Sequence, residues 1–534
     1  MPAATTTRWP DLAALALVLA GCGLRLHGLT QSWLSPDEGI NWSIATRALP
    51  LAIDEMLANT HPPGWYVLLR LVACGSDSLL ALRLPALGCG TAAIWCLYRA
   101  GKSLAGPATG LVAALLLALS PQAITQSQLL RPYAALVLLL ALGLRGLAAF
   151  ASDRRRGLGL YATTLALAVT LHYGTAIVLA GGLVATATLL LLRTLARPQA
   201  LRLALAHLPA GGMLLLLYAL HVRPHLSGSA VEQELMRAWM PQFFADSPRA
   251  AAGLLAAACG YVTAVAWAGG AMLALLVGTT LACRGGARWL GVFALSALGV
   301  ALAASSLRQY PLGCTRHVQH LAPLLLLALA HGLVQLGRRV RTAPVLLVVL
   351  LWPWLPAFAR ELLQPAPARL HLTDEHPVSV ADHERVARHL LPLCESPGLL
   401  VLDLQSYYLI APDLGHARDV GEWHAGWYSF RWGHRDVVLH MTWRSAWLPN
   451  AVAEPRHIVP LLQAASARFP QAFADLRCVA GGWIGPFRQD FAILGNLARP
   501  HTEFLFDLVE TRSLNLFRLD GPRFLAAYAA TLRR

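Results

Sequence analysis

The sequence predicts a polytopic α-helical membrane protein of about eleven transmembrane helices, followed by a C-terminal α/β domain outside the membrane. Of its 534 residues, 56% are hydrophobic and only 13% are charged, whereas a soluble domain carries about 25% charged residues. Apolar blocks of about 20 residues, each long enough to cross a bilayer, recur through the first two thirds of the chain. Residues 361–534, by contrast, hold 17 basic and 18 acidic residues, as a soluble domain would.

The apolar blocks define the transmembrane domain, which we place at residues 1–360. The apolar stretch within residues 1–29 is longer than that of a signal peptide and has no clear small-residue cleavage site, so it is interpreted as an uncleaved first helix. No internal sequence repeat is visible. The predicted spans are 11–29, 82–98, 107–123, 132–150, 158–174, 175–192, 203–220, 255–281, 289–306, 318–336 and 343–359.

The distribution of positive charge predicts the orientation. Residues 1–360 hold 26 Lys and Arg residues against 10 acidic ones, so the net charge of +15 belongs to this part and indicates cytoplasmic loops rather than a nucleic-acid partner. With a cytoplasmic N-terminus every predicted inner loop is basic, and the tail lies outside. The basic loop residues are Arg99, Lys102, Arg154, Arg155, Arg156, Arg193, Arg197, Arg202, Arg284, Arg288, Arg338, Arg339 and Arg341.

The C-terminal domain, residues 361–534, is separated from the last span by Pro365 and Pro367. The segments 398–410 and 436–443 are typical of strands, and 380–393 and 521–533 are typical of helices, which together predict a small α/β domain. The tail contains no HExxH motif or paired cysteine ligands, and the chain has no P-loop and no GxGxxG. The sequence therefore predicts neither a zinc site nor a nucleotide site of those kinds.

Acidic residues of the membrane part concentrate in the first predicted outer loop, residues 30–81, which holds five of its ten acids. The loop also contains amphipathic segments typical of interfacial helices, and it is the predicted catalytic loop. Asp37 and Glu38 follow Ser35-Pro36 directly after the first span, where partial desolvation would make a carboxylate a better base. The alternative is structural, because Pro-Asp-Glu is also favourable in the first turn of a helix.

Basic and aromatic residues recur at two other outer positions, in "SQLLRPY" at 127–133 and "RQYPLGCTRH" at 308–317. Arg131, Arg308 and Arg316 suit a lipid phosphate, because guanidinium groups offer forked donors and remain charged. Each arginine could instead snorkel toward ordinary membrane lipid headgroups. His61 could donate to a phosphate or cap the helix that follows it, and His172 is interpreted as an interface anchor.

The order of these motifs resembles a known family. A first span followed by "SPDEG", then "HPPGWYVLLR", "SQLLRPYA" and "YPLGCTRHVQHLAPLLLLALA", is similar to the GT-C membrane glycosyltransferases of the family 39 type. That family includes protein O-mannosyltransferases and the aminoarabinose transferases that act on lipid A. The resemblance covers residues 10–340, and the tail carries no comparable motif.

The resemblance implies an inverting transfer of a monosaccharide from a polyprenyl-phosphate-linked donor, on the outer face of the membrane. The expected location is the bacterial inner membrane, with a periplasmic C-terminal domain and an unidentified envelope acceptor (lipid, glycan or protein). The family's acidic pair maps onto Asp37 and Glu38, the first being the expected base. The residues expected at the donor phosphate, from this mapping and from arginine chemistry, are His61, Arg131, Tyr133, Arg308, Tyr310, Arg316 and His317.

One departure from the family concerns metal dependence. Many relatives carry a glutamate shortly before the arginine that maps onto Arg131, whereas this chain has Gln128-Leu129-Leu130. We therefore expect no metal and no required cofactor, although a divalent cation bound by Asp37 or Glu38 alone stays open.

Two other function classes share part of this pattern. A polyprenyl-lipid flippase or transporter would also need many spans, but it would place charged or broken helices near the bilayer midplane and often shows repeats. A non-catalytic subunit of envelope-polysaccharide assembly is the second alternative, and the acidic pair argues against it only weakly. We take the glycosyltransferase as the working hypothesis.

Overall fold

The computed structural model describes most of the helical part of the chain and several segments of the tail. The described residues are 8–59, 61–152, 156–223, 241–263, 268–282, 286–340, 359–360, 362–363, 378–402, 404–424, 427–440, 463, 466–471, 478–483, 502–504, 514–519, 522–523 and 525–526. Residues 343–358 of the last predicted span and both boundary prolines lie outside them.

Contacts divide the chain into two compact units. The first, here called the membrane unit, comprises Met1–Leu29, Met56–Leu226 and Phe243–Glu375. The second, the C-terminal unit, comprises Thr30–Glu55, Ser227–Gln242 and His376–Arg534. The predicted catalytic loop, 30–81, is therefore cut between residues 55 and 56, and its first half belongs to the C-terminal unit.

The membrane unit is helical wherever its secondary structure is regular in the described residues. Its large buried core consists almost entirely of Leu, Ala, Val, Ile and aromatic side chains drawn from these helices. The helices are α1 (Trp9–Leu26), α4 (Gly64–Ala73), α5 (Leu79–Ala105), α6 (Pro107–Leu119), α7 (Pro121–Gln128), α8 (Tyr133–Ala151), α9 (Arg156–Leu171), α10 (Thr175–Leu191), α11 (Arg197–Leu205), α12 (Leu208–Leu217), α13 (Pro248–Thr263), α14 (Gly269–Ala282), α15 (Gly286–Ser306) and α16 (Ala322–Arg339).

Among the described residues, six helical segments are long and apolar enough to cross a membrane, or seven if one bent pair counts as a span. They are Trp9–Leu26, Leu79–Ala105, Tyr133–Ala151, Arg197–Val222, Ala287–Ser306 and Arg316–Arg339, and the bent pair is α6 with α7. Shorter apolar helices are Gly64–Ala73, Arg156–Leu171, Thr175–Leu191 and Gly269–Ala282. The multi-pass membrane architecture is confirmed, while the number eleven stays a prediction.

The predicted span 107–123 is broken in the structure. Helices α6 and α7 meet at Ser120 with an angle of 59°. Pro121 disfavours the helical conformation at the residue before it; Ser120 is extended, and its hydroxyl accepts the Ala123 amide to start α7. The chain thereby turns within an apolar segment whose hydropathy predicts one continuous transmembrane span.

The predicted span 255–281 also differs, because it divides into α13 and α14. Its 27 residues would make a helix of about 40 Å, longer than the hydrocarbon core of about 30 Å. A side chain at Gly269 would overlap the carbonyl oxygen of Ala256. This glycine therefore allows the two helices to pack closely.

The C-terminal unit combines helices with a mixed sheet. Helices α2 (Pro36–Thr46), α17 (Val380–Glu395) and α18 (Leu404–Leu414) belong to it, and α3 (Leu49–Ala58) begins in it. The strands in its described residues are β1 (Gly398–Leu402), β2 (Glu422–His424), β3 (Trp427–Trp432), β4 (Arg435–His440), β5 (Cys478–Trp483), β6 (Thr502–Phe504) and β7 (Leu514–Leu519). Their order is β2-β3-β4-β1-β5-β7-β6.

The centre of this sheet is parallel and its edges are antiparallel. Strand β1 is fully buried and pairs in parallel with β4 and β5, whereas the other neighbours pair antiparallel. The sequence prediction of one strand over 398–410 is wrong beyond Leu402, since helix α18 begins at Leu404. Residues 398–402 and 407–410 are buried, and a continuous apolar run does not distinguish a buried strand from a buried helix.

Candidate active site

Seven side chains of the membrane unit form a group that we call the basic cluster: His61, Arg131, Tyr133, His172, Tyr310, His317 and His320. Each lies at a helix start or in a turn between helices. His61 precedes α4, Arg131 and Tyr133 open α8, His172 follows α9, and the other three lie between α15 and α16. Because helix ends meet in this group, residues distant in sequence become neighbours.

His172 lies at the centre of the basic cluster. Its ring centroid is 5.3 Å from that of Tyr133, 6.1 Å from that of His61 and 6.5 Å from that of His317. The ring of His320 stacks on it at 6.3 Å. The Gly174 amide donates to its Nδ1 at 3.0 Å, so a neutral His172 carries its proton on Nε2 and offers a donor there.

Gly174 is the point on which three polar groups converge. A Cβ at this position would lie 2.5 Å from Tyr310 Oη, 2.7 Å from His320 Nδ1 and 2.8 Å from His172 Nδ1. His320 is 1% exposed, and neither ring nitrogen has a hydrogen-bond partner among the described residues. Because a buried polar group without a partner is costly, His320 is suited to meeting a polar ligand or an ordered water.

A short 3-10 helix, Arg316–Leu321, carries two of the histidines. With three residues per turn, His317 and His320 fall on the same face. Tyr310 Oη donates to the backbone oxygen of His317 at 3.0 Å, which ties the preceding loop to this turn. Burial raises the pKa of Tyr310 well above its usual value, so its hydroxyl stays protonated and keeps its donor.

Arg131 is placed by the turn that precedes α8. It is 3% exposed, its amide donates to Leu129 O at 2.8 Å, and its guanidinium carbon lies 5.6 Å from the centre of the Tyr133 ring. Trp65 Nε1 donates to Leu130 O at 3.2 Å and fixes the same turn from α4. Two separate elements therefore determine where this arginine lies.

A buried arginine of α1 supports the segment that leads to Arg131. Arg25 is fully buried, and its guanidinium donates to Gly21 O, Ala118 O and Leu117 O at 3.0–3.4 Å. Its Nε also donates to Ser127 Oγ at 3.1 Å. A cation is favourable at the carbonyl end of a helix, so Arg25 stabilises the break between α6 and α7.

Gln128 has a structural role. It lies in the segment before Arg131, where the family resemblance leads us to expect a glutamate. Its amide nitrogen donates to Arg25 O at 3.0 Å and to His27 O at 2.7 Å. Both acceptors lie at the end of α1, where carbonyl groups lack helical partners. An ionised glutamate at this position could not donate either bond.

The remaining candidates of the membrane unit differ in position. Arg316 opens the 3-10 helix and is next to His317 in the chain. Arg308 is mostly exposed, has a positive φ of 57°, and its guanidinium is 3.3 Å from Asp246. The structure therefore brings five of the seven predicted phosphate residues into the basic cluster, places Arg316 next to one of them in the chain, and pairs Arg308 with an exposed carboxylate.

Asp37 and Glu38 belong to the C-terminal unit, in the first turn of α2. Glu38 is fully buried and completes a capping box: its carboxylate accepts the Ser35 amide at 3.1 Å, and Ser35 Oγ accepts the Glu38 amide at 3.3 Å. Asp37 is half-buried, and its backbone oxygen accepts from Asn41 Nδ2 at 2.8 Å. The two acids therefore differ, because Glu38 is engaged in starting the helix.

The sequence does not identify two members of the basic cluster. His172 lies within the cluster, whereas its position at a turn between spans predicts an interface anchor, and the one sequence signal for His320 is its spacing of three from His317, the period of a 3-10 helix. Among the described residues, no group of three or more His, Cys, Asp or Glu side chains is arranged to hold a metal ion.

Comparisons with known proteins agree with this architecture. A family model of dolichyl-phosphate-mannose-protein mannosyltransferases matches residues 60–223, a range that includes four of the seven residues of the basic cluster. The structure of ArnT from Cupriavidus metallidurans bound to undecaprenyl phosphate is similar over 96% of this chain and 98% of that one, with a TM-score of 0.55 and 13% identity. The chain has the GT-C fold.

The apo structure of the same ArnT gives a TM-score of 0.56 at 14% identity, with the same coverage. No curated protein matches the sequence. The resemblance to GT-C glycosyltransferases of the family 39 type, inferred from four short motifs, is thus confirmed.

Proposed function

We propose that this chain is an inverting glycosyltransferase that moves a monosaccharide from a polyprenyl-phosphate donor to an envelope acceptor. The proposed location is the outer face of a bacterial inner membrane, with a cytoplasmic N-terminus. The observation that carries the proposal is the basic cluster, which gathers the guanidinium of Arg131 and the hydrogen-bonding side chains of tyrosines and histidines at helix ends of a GT-C fold. The similar ArnT structure, bound to undecaprenyl phosphate, supports a lipid-linked donor.

The chemistry of the leaving group explains why such a cluster would accelerate transfer. When the glycosidic bond breaks, a phosphodiester with one negative charge becomes a phosphate monoester with more charge. Fixed cations and donors near that phosphate therefore stabilise the transition state more than the bound donor. In the proposal Arg131, Arg316 and His61 stabilise the departing phosphate, and Tyr133, Tyr310 and His317 orient it.

The acceptor requires a base. We assign this role to Asp37, which takes the proton of the acceptor hydroxyl or amine as that group attacks the anomeric carbon. The family resemblance supports the assignment, and the side chain of Asp37 is half-buried rather than fully enclosed. Glu38 is assigned to holding the helix that carries Asp37, on the strength of its capping box.

The test is a transfer assay in nanodiscs with a panel of radiolabelled polyprenyl-phosphate sugars and native membranes as the source of acceptor. Wild-type protein should release polyprenyl phosphate and label an acceptor. Asp37→Asn should lower the rate by about a hundredfold or more, in the range typical of a lost general base. Asp54→Asn is the matched control, because Asp54 is an exposed acid of the same loop, and it should keep the wild-type rate.

A second arm measures binding of undecaprenyl phosphate. Arg131→Ala should weaken it about ten- to hundredfold, the effect of one lost charge-assisted hydrogen bond, whereas Arg338→Ala, an exposed arginine in the last turn of α16, should not. Assays with and without EDTA test metal dependence, and we expect equal rates. Movement of donor across the bilayer without sugar transfer would reject the proposal in favour of a flippase, and full activity of Asp37→Asn would reject the base.

A further inference from the structure

The segment that carries Asp37 is bonded to the C-terminal domain at its beginning. Ser32 and Ser379 form an antiparallel bridge. Next to it the Trp33 amide donates to Val378 O at 2.6 Å, and the Val380 amide donates to Gln31 O at 2.9 Å. Residues 31–33 are thereby attached to the start of α17.

Trp33 makes a second attachment through its side chain. Its indole lies flat on the imidazole of His383, with centroids 3.8 Å apart and planes inclined by 11°. Its Nε1 donates to Leu409 O at 2.9 Å, so the indole contacts α17 and α18 at once. An aromatic ring with its polar atom bonded is well suited to fixing such a position.

Helix α2 then packs directly on α18. A Cβ at Gly39 would overlap the carbonyl oxygen of Tyr408. Gly39 is two residues from Asp37, within the same helical turn. Only glycine allows the two backbones this approach, and the helix of Asp37 is therefore seated on α18 at that turn.

A buried ionic network closes the far end of α2. Arg47, directly after the helix, contacts Glu55 at 2.7 Å and Asp419 at 3.2 Å, and its side chain is 5% exposed. Tyr408 Oη donates to Glu55, and the Ala48 amide donates to Asp419 Oδ2 at 3.3 Å. A buried charge that loses one partner is strongly destabilising, so this network holds the loop in one arrangement.

We propose that the C-terminal domain acts in the reaction by positioning Asp37, with Trp33, Gly39 and Arg47 as its positioning residues. This inference rests on the proposed function, since it assigns Asp37 the role of base. It follows that the C-terminal domain determines the position of the base. Small displacements of a reacting group lower rates steeply, so loosening this attachment should slow the chemical step more than it weakens donor binding.

The experiment compares wild-type protein with Arg47→Met, Tyr408→Phe and the control Arg468→Ala. Arg468 forms an exposed ion pair with Glu422 at 2.9 Å in the same unit. Hydrogen exchange of residues 36–46 should rise in Arg47→Met and, less strongly, in Tyr408→Phe, which keeps the ion pairs. The kcat of Arg47→Met should fall about tenfold or more while KM for the donor stays within about twofold, and Arg468→Ala should change neither measurement.

Unchanged hydrogen exchange at residues 36–46 in Arg47→Met would overturn the claim that the C-terminal domain holds α2 in place. Raised exchange with an unchanged kcat would overturn the positioning role. If wild-type protein shows no Asp37-dependent transfer, the proposed function fails, and the exchange data still show whether the C-terminal domain holds α2. If Arg47→Met does not fold, Tyr408→Phe carries the same comparison.

Discussion

Two short segments of the candidate site, the start of α2 with Asp37 and Glu38 and the turn before α8 with Arg131 and Tyr133, are fixed in different ways. The start of α2 is held by its own neighbours, through the reciprocal hydrogen bonds of Ser35 and Glu38. The turn before α8 is held by distant residues: Trp65 bonds its carbonyl at Leu130, and Gln128 bonds the end of α1. One segment is defined by four consecutive residues and the other by hydrogen bonds between groups that are 65, 101 and 103 positions apart in the chain.

This difference determines how much stability each segment loses when one of its hydrogen bonds is removed. A local cap is worth about 1 kcal/mol, and its loss frays one turn. A buried donor that satisfies a helix end from another helix holds two elements at once, so its loss leaves unsatisfied groups on both. We therefore expect a substitution at Gln128 to lower the free energy of unfolding more than a substitution in the cap of α2.

The largest effect is expected for Gln128→Glu. An ionised carboxylate would place acceptor against acceptor at Arg25 O and His27 O, near the negative end of the α1 dipole. The free energy of unfolding should fall by about 2–4 kcal/mol. Urea unfolding in detergent at neutral pH measures it, and part of the loss should return at acidic pH, where a protonated glutamate regains one donor.

Gln122→Glu is the matched control for that change. Gln122 is a buried residue of the same helix, but its amide oxygen is an acceptor, taking a hydrogen bond from Ser120 Oγ at 3.3 Å. The substitution introduces the same charge and keeps that acceptor. If the two variants lose equal stability, burial of charge explains the effect and the donor role of Gln128 is wrong.

A smaller effect is expected for Gly174→Ala. The added methyl group would lie within 2.8 Å of three polar atoms from His172, Tyr310 and His320, and relief requires at least one ring to move. Such overpacking costs about 1–3 kcal/mol, and affinity for undecaprenyl phosphate should fall with it. Gly159→Ala in α9, which has open space around it, should be neutral or slightly stabilising; a similar loss at both positions would contradict the crowding at Gly174.

The same contrast explains how much could be predicted from sequence. The sequence Pro36-Asp37-Glu38 predicts the first turn of a helix, and the structure has that turn, with a capping box between Ser35 and Glu38. The break at Ser120 comes directly before Pro121, yet the apolar residues around it make 107–123 look continuous. The role of Gln128 and the central place of His172 depend on which helices pack together, and no local pattern encodes that.

The smallest effect is expected for Ser35→Ala, in the segment that is held by hydrogen bonds between neighbouring residues. Removing the hydroxyl leaves the Glu38 amide without its cap, which should cost about 1 kcal/mol and raise hydrogen exchange chiefly in the first turn of α2. Glu38→Gln should cost less, because an amide oxygen can still accept the Ser35 amide. Because Gly39 packs against Tyr408 of α18 and Arg47, after the helix, pairs with Asp419, the rest of the helix should keep its protection. Loss of protection along all of α2 in Ser35→Ala would show that the cap, and not the packing on α18, holds the helix in place.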